Sequence, residues 1–193
     1  MTQLVLRMQH YRDRGRFDEA AECFTADSEL DLSWFTGNGA EWCAASKRMS
    51  SADGWGGQGL YHRLWPPMVR VGGDRALAEV LVAIESRISI GGVEADLISY
   101  ARSQFRVQRK AGQWLIARFV SIYERDTLAA TIPGTRLEID PAEFAGHRPS
   151  HRFLAWYLSK RGIQLRPDVL GFDQPEAVAR VFESDEAWLS ASK

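Results

Sequence analysis

Residues 61–126 read YHRLWPPMVRVGGDRALAEVLVAIESRISIGGVEADLISYARSQFRVQRKAGQWLIARFVSIYERD, and this stretch decides the fold. Its alternation of apolar and polar residues predicts four strands, at 62–71, 75–89, 97–110 and 114–126. Short glycine-containing turns separate these strands, at 72–74, 91–96 and 110–113. Pro66 and Pro67 interrupt the first strand, which indicates a sheet edge or a bulge. Consecutive strands joined by tight turns predict an antiparallel meander.

The segment before the meander is mainly helical by the spacing of its apolar residues. We predict helices at 4–12, 16–25 and 40–50, and one half-buried strand over residues 28–35. Residues 50–59 (SSADGWGGQG) contain four glycines and predict a mobile loop beside a pocket. Helices followed by a strongly bent antiparallel sheet predict an α+β fold, with the helices packed on one sheet face.

The last third of the chain has a different composition. Residues 127–149 carry three prolines and predict an arm, and helices follow at 150–161 and 175–189. We therefore predict an α+β domain over residues 1–126 and a C-terminal extension over 127–193. The extension packs on the same domain or on a neighbouring subunit. Its aromatic residues Phe153, Trp156 and Tyr157 fit a lid or a contact with that subunit.

Composition argues against several classes of protein. The net charge is −1, from 24 basic and 25 acidic residues without a basic stripe, so we expect no nucleic-acid partner. No apolar run approaches the roughly 18 residues of a membrane span, and the N-terminus lacks a signal-peptide pattern, so we expect a cytoplasmic protein without a membrane partner. Two cysteines, Cys23 and Cys43, do not make a zinc ribbon, and no familiar ligand spacing supports a metal site.

His62 stands out among the four histidines because it opens the first long strand, next to the glycine-rich loop. An imidazole titrates near neutral pH and therefore suits proton abstraction. Such a base needs an orienting partner, and Asp13, at the end of the first helix, is the best candidate carboxylate. Two alternatives stay open: His62 is a structural hydrogen bonder, and Asp13 caps the helix that follows it. Spacing alone does not bring the two residues together.

Three segments of the chain resemble SnoaL-like proteins of the nuclear transport factor 2-like superfamily, which includes ketosteroid isomerase-like and scytalone dehydratase-like enzymes. They are DRGRFDEAAECFTADSELDLSWF (13–35), LYHRLWPPMVRVGGDRALAEV (60–80) and QFRVQRKAGQWLIARFVSIYERD (104–126). The resemblance implies a cone-shaped α+β barrel, in which a curved sheet wraps around N-terminal helices and leaves a deep apolar cavity.

The resemblance also implies a chemistry. The dehydratase and dehydrohalogenase branches of the superfamily have an aspartate and a histidine at the positions of Asp13 and His62, and they act without a cofactor. Two features depart from the family pattern: the first helix is short, and the tail after Asp126 is longer than the minimal fold requires.

Other residues are candidates for substrate binding. Tyr100 and Arg102 share one strand face and would contact a substrate oxygen if that face meets the cavity, but a solvated outer face is an equal alternative. Arg118 either pairs with a buried carboxylate or points at the substrate. The aromatic residues that we expect near the cavity or its mouth are Tyr11, Trp34, Trp42, Tyr61 and Trp65.

The sequence thus predicts a cofactor-independent lyase that acts on a bulky, hydroxylated aromatic small molecule through an acid/base pair, Asp13 and His62. The reaction expected is a dehydration or a retro-aldol-type C–C cleavage that releases formaldehyde. Alternatives are an isomerase or polyketide cyclase of the same fold, and a non-catalytic ligand-binding or assembly subunit. A homodimer or homotrimer is expected from the family.

Overall fold

A computed structural model describes residues 1–52 and 60–191, which form seven strands and five α-helices. The helices are α1 (Thr2–Asp13), α2 (Phe17–Ala21), α3 (Gly39–Ala52), α4 (Arg152–Lys160) and α5 (Pro175–Ser190), with a 3₁₀ helix at Pro141–Phe144. The strands are β1 (Phe24–Asp31), β2 (Thr36–Gly37), β3 (Leu60–Leu64), β4 (Met68–Gly72), β5 (Arg75–Ile90), β6 (Val93–Lys110) and β7 (Gln113–Ala130). The prediction of an α+β fold is confirmed.

One mixed sheet contains all of these strands. Its order is β2-β1-β7-β6-β5-β3, and β4 also pairs with β5. The predicted antiparallel meander is present as β5, β6 and β7, joined by two-residue turns. Gly91 and Gly92 have φ values of +56° and +84°, which favour glycine and suit the twist of such a hairpin. The sheet stays open, and β1 pairs with β7 in parallel, which the sequence did not predict.

The predicted strand at 62–71 is two strands. Both β3 and β4 pair antiparallel with β5, with Leu64 opposite Val82 and Met68 opposite Glu79. Pro66 lies between them, and a proline cannot donate the backbone hydrogen bond that a continuous ladder needs.

The concave face of the sheet holds the N-terminal helices. Helix α1 contacts both β3 and β7, which β5 and β6 separate in the sheet, so the sheet must curve around this helix. Val5 and Met8 of α1 are fully buried in the main core. The ring of Trp42 from α3 packs edge-on against Phe24 and Phe119. Cys23 and Cys43 are buried free thiols, and burial raises the pKa of Cys43 to about 12.

The second helix is shorter than the predicted 16–25, because the chain joins the sheet early. The backbone N–H of Ile116 donates to the carbonyl of Cys23, and Phe24 pairs with Ile116. Strand β1 therefore begins at Phe24 and ends at Asp31, so that Trp34 lies after the strand. Pairing with β7 overrides the local helical spacing.

The C-terminal extension packs on both faces of the sheet. Strand β7 continues to Ala130, four residues beyond the predicted domain boundary at 126. Helix α4 packs against β6 and β7, and its Leu154 and Leu158 contact Tyr123. Helix α5 buries Val178 and Val181 against Ile122 on the opposite face. Across the described segments, 1–52 and 60–191, no helix is both long and apolar enough to cross a membrane.

Candidate active site

A cavity of about 400 Å³ lies between the helices and the concave face of the sheet. Helices α1 and α3 form one side, and strands β3, β5, β6 and β7 form the other. Leu154, Tyr157 and Leu158 of α4 also line the cavity, so the C-terminal extension contributes a wall. Its volume lies within the range of sites for small organic ligands.

Asp13 and His62 meet at this cavity through two hydrogen bonds. Nδ1 of His62 lies 2.8 Å from Oδ1 of Asp13, and the backbone N–H of His62 donates to Oδ2 of Asp13 over 2.8 Å. The amide of Gln9 also donates to Oδ1, over 2.9 Å. Because an ionised carboxylate only accepts, Nδ1 of His62 carries a proton and Nε2 carries the lone pair.

Arg12 is the neighbour of this pair that the sequence analysis missed. Its Nη1 lies 3.4 Å from Nε2 of His62 and 3.7 Å from Oδ1 of Asp13. Its guanidinium lies over the ring of Trp42, 4.8 Å from the ring centroid. Arg12 is the penultimate residue of α1, next to Asp13, so its adjacency to the candidate partner of the base was the available signal. The site therefore contains a carboxylate, an imidazole and a guanidinium in contact.

The environment favours an ionised Asp13 and a neutral His62. Burial alone would raise the pKa of Asp13, but the hydrogen bonds from His62 and the positive charge of Arg12 outweigh it and lower that pKa. Burial lowers the pKa of His62, and the Arg12 charge adds to this effect against the opposing carboxylate. The imidazole is thus held in the form that accepts a proton.

Four side chains with hydroxyl groups form a polar strip on the cavity wall. Ser103 and Ser121 face each other on β6 and β7 with their hydroxyl oxygens 3.4 Å apart. The hydroxyl of Tyr123 donates to Ser33 over 2.8 Å. All four side chains line the cavity. They were not predicted as site residues, although Ser103 lies on the face of β6 opposite to Tyr100 and Arg102, as the alternation of side chains along a strand requires.

Of the predicted aromatic residues, Trp34 and Trp42 line the cavity. Tyr11 is half-buried against the core and does not line it; the guanidinium of Arg16 lies 4.5 Å from its ring centroid. Tyr61 and Trp65 point outward and are 50% and 48% exposed. The expected positions of Tyr11, Tyr61 and Trp65 are therefore corrected. Tyr61 flanks His62 on β3, and successive side chains of a strand point to opposite faces.

Tyr100, Arg102 and Arg118 also lie outside the cavity. Arg102 pairs with Glu79 and Glu124 on the outer face of the sheet. The ring of Tyr100 lies under the guanidinium of another outer-face residue, Arg125, at 4.7 Å.

Arg118 takes the buried-carboxylate alternative, since its Nη1 lies 3.2 Å from Oδ1 of Asp185 on α5. The face of β6 that meets the cavity carries Ala101, Ser103 and Phe105. Tyr100 and Arg102 therefore take the outer-face alternative that the sequence left open, and neither they nor Arg118 line the cavity.

The glycine-rich stretch at 50–59 lies largely outside the described residues, and so does the prediction of a mobile loop. Within the part of the chain that is described, no three histidine, cysteine or acidic side chains are grouped so that they could hold a metal ion.

The fold agrees with a comparison of the sequence with known families. Residues 1–120 match the SnoaL-like domain family, and the chain belongs to it. A curated relative, pea pathogenicity protein 2 of Fusarium vanettenii, is 25% identical over 124 residues, which cover 63% of this chain and 53% of the relative. The chain thus matches about half the length of that relative.

Solved structures show the same fold at low sequence identity. A hexachlorocyclohexane dehydrochlorinase (LinA) type 2 is 15% identical with a TM-score of 0.56, covering 71% of this chain and 91% of that one. A protein from Novosphingobium aromaticivorans, described as NTF2-like with a cystatin-like fold, is 23% identical with a TM-score of 0.50, covering 62% of this chain and 77% of that one.

Proposed function

We propose that the chain is a cofactor-independent lyase in which His62 is the general base and Asp13 orients it. The observation that carries the proposal is the hydrogen bond of 2.8 Å between Nδ1 of His62 and Oδ1 of Asp13, at the wall of a cavity. This bond fixes the tautomer that presents the lone pair of Nε2, and the carboxylate compensates the charge that forms on the imidazole. General base catalysis of this kind supplies roughly 10²–10⁴-fold in rate.

Asp13 and His62 are sufficient for an elimination in which all atoms and electrons are accounted for. Nε2 of His62 takes a proton from a carbon, the C–H electron pair forms a C=C bond, and the neighbouring C–O bond breaks. The protonated imidazole then returns its proton to the departing hydroxyl group, which leaves as water. One structural neighbour is a dehydrochlorinase, so the same fold accommodates an elimination in that protein.

A C–C cleavage uses the same base. His62 takes the proton of a primary hydroxyl group, and the O–H electron pair forms the C=O bond of formaldehyde. The electron pair of the broken C–C bond forms a C=C bond as a second hydroxyl group leaves with the proton from His62. The products are an alkene, formaldehyde and water, and no oxidant or reductant is needed.

The walls of the cavity favour a hydroxylated aromatic substrate. Trp34, Trp42, Phe105 and Phe119 offer ring surfaces for an apolar, flat molecule. The strip of Ser103, Ser121 and Tyr123 offers hydroxyl groups that both donate and accept hydrogen bonds. Two aromatic rings linked by a short hydroxylated chain match this combination of surfaces.

The test is turnover of a panel of aryl-propane diols and hydroxylated polycycles, read by mass spectrometry. Loss of 18 mass units identifies a dehydratase, and trapped formaldehyde identifies the C–C lyase. A product whose mass is unchanged in H2O but which incorporates deuterium in D2O identifies an isomerase. His62→Gln should lower kcat at least about a hundredfold while the circular dichroism spectrum is unchanged. The matched control, His10→Gln, removes an exposed histidine of α1. A His62→Gln protein with wild-type turnover contradicts the proposal.

A further inference from the structure

Three buried hydrogen-bond donors, on residues that line the cavity, have no partner among the described residues. They are Nε1 of Trp42, the hydroxyl of Ser46 and Nε of Arg12. Trp42 and Ser46 are only 2% and 6% exposed, and all three residues line the same cavity. A buried polar group without a partner is costly, and in native proteins it calls for a specific explanation.

These donors lie on neighbouring surfaces. Trp42 and Ser46 are one turn apart on α3 and therefore share a helix face. The guanidinium of Arg12 lies 4.8 Å from the centroid of the Trp42 ring. One corner of the cavity thus combines an indole N–H, a hydroxyl and a guanidinium.

The positive charge in this corner is not fully matched by the protein. The carboxylate of Asp13 is 3.7 Å from Arg12, but it already accepts hydrogen bonds from Gln9 and from the ring and backbone of His62. Indole and guanidinium groups donate and do not accept, so their missing partner is an acceptor. An oxygen with negative charge satisfies both the donors and the cation.

We infer that Arg12, Trp42 and Ser46 form a subsite that binds a negatively charged oxygen of the substrate next to His62. The assignment deepens the proposed function and rests on it for one point, that His62 removes a proton nearby. The substrate class named is an aromatic compound whose carboxylate, phenolate or enolate oxygen lies beside the reacting carbon. Charge released by proton removal would then be stabilised at that oxygen.

The subsite also controls the base. Nη1 of Arg12 lies 3.4 Å from Nε2 of His62, where it donates to the lone pair that would take the proton. An anionic oxygen draws the guanidinium toward itself and frees Nε2. Binding of an anion and availability of the base are therefore coupled through one side chain.

The test uses unreactive probes, so that it does not depend on turnover. Benzoate, 2-naphthoate and 4-biphenylcarboxylate are each compared with the corresponding hydroxymethyl compound by calorimetry on the full chain. We expect at least one carboxylate to bind about tenfold or more tightly than its uncharged counterpart. Arg12→Met should remove that preference, and Trp42→Phe or Ser46→Ala should reduce it severalfold while binding of the uncharged compound changes little. Arg16→Met removes an exposed arginine outside the cavity and should preserve the preference.

A second readout is the titration of the His62 ring followed by NMR. The bound carboxylate should raise the pKa of His62, because it adds negative charge and withdraws Arg12 from Nε2. The proposal is wrong if no carboxylate is preferred, or if Trp42→Phe and Ser46→Ala lower the affinities of both compounds of a pair equally. A preference for the anion without turnover of any substrate would preserve the subsite and overturn the lyase. Turnover of a substrate without a preference for the anion would support the lyase and overturn the subsite.

Discussion

The carboxylate of Asp13 decides which nitrogen of His62 faces the cavity. It accepts from Nδ1 and from the backbone N–H of the same histidine, so both the ring and the start of β3 are held by one side chain. An aspartate at the end of α1 and a histidine at the start of β3 thus form one unit, although 49 positions separate them.

Asp13→Asn should reverse this arrangement. The amide NH₂ group would donate to Nδ1, which leaves the proton on Nε2 and removes the base from the cavity. We expect kcat to fall roughly 10²–10⁴-fold with little change in the melting temperature. Asp18→Asn is the control, because Asp18 is 85% exposed and pairs with Lys47 on the surface. Equal loss of activity in the two variants would speak against a specific role for Asp13.

The pH dependence of the reaction follows from the direction of the His62 shift. Its pKa lies below the ordinary value of 6.5, because burial and the Arg12 charge disfavour the protonated ring. The neutral base is therefore present at neutral pH and is lost only as the pH falls through the lowered pKa. We expect kcat/KM to be level near pH 7 and its acid limb to have a midpoint below 6.5. A midpoint above that value would contradict this account.

At the scale of the element, helix α4 depends on a carboxylate from another element. Its N-cap residue, His151, provides no side-chain cap, and Oδ2 of Asp126 on β7 accepts from the backbone N–H of Leu154 over 2.8 Å. Asp126→Ala should destabilise the protein by about 1–2 kcal/mol, since it leaves a helix-terminal donor without a partner. Urea unfolding measures this loss. Asp140→Ala, which removes the exposed cap of the 3₁₀ helix, should cost less.

His151 makes the anchoring of α4 sensitive to acid. Burial and the nearby Arg148 lower its pKa to about 4, so the unfolded chain binds the proton first as the pH falls. Stability that is present near neutral pH should be lost between about pH 6.5 and about pH 4, by up to about 3 kcal/mol. His151→Asn should show a smaller loss than wild type when urea unfolding is compared at about pH 7 and about pH 4.5. His10→Gln, at an exposed position, should keep the wild-type dependence.

At the scale of the whole molecule, the cavity is completed from outside the segment that matches the family. That match ends at residue 120, whereas Leu154, Tyr157 and Leu158 of α4 line the cavity. The C-terminal extension therefore forms part of the cavity wall, and we expect its helix to limit the size of ligand that fits.

Leu158→Trp should narrow the cavity from this wall. We expect ligands with two fused rings to lose about tenfold or more in affinity, whereas single-ring ligands change by less than about threefold. Ile132→Trp adds the same ring at a position of the extension that is 70% exposed and should change neither. The ratio of 2-naphthoate to benzoate affinity measures the effect; an unchanged ratio in Leu158→Trp would show that α4 does not limit the ligand.

The sequence by itself determined the meander and the helices at 40–50, 150–161 and 175–189, because alternation, helical spacing and turn glycines are local signals. It also identified Asp13 and His62 as partners, but only through the resemblance to a family. Local signals predicted the wrong secondary structure where pairing with a distant strand decided it. Phe24 belongs to β1 and not to the predicted helix, because the backbone groups of Cys23 and Phe24 pair with β7.

Only the tertiary structure decided which residues meet the cavity. Alternation divides the residues of β6 between two faces but does not tell which face is inside. The pair Tyr100 and Arg102 could therefore not be distinguished from Ala101 and Ser103 until the packing of α1 and α4 on one side was known. The contact of Arg12 with His62 likewise joins residues 50 positions apart. The direction in which the sheet curves, set by which of its faces buries the helices, assigned the inside and the outside of every strand.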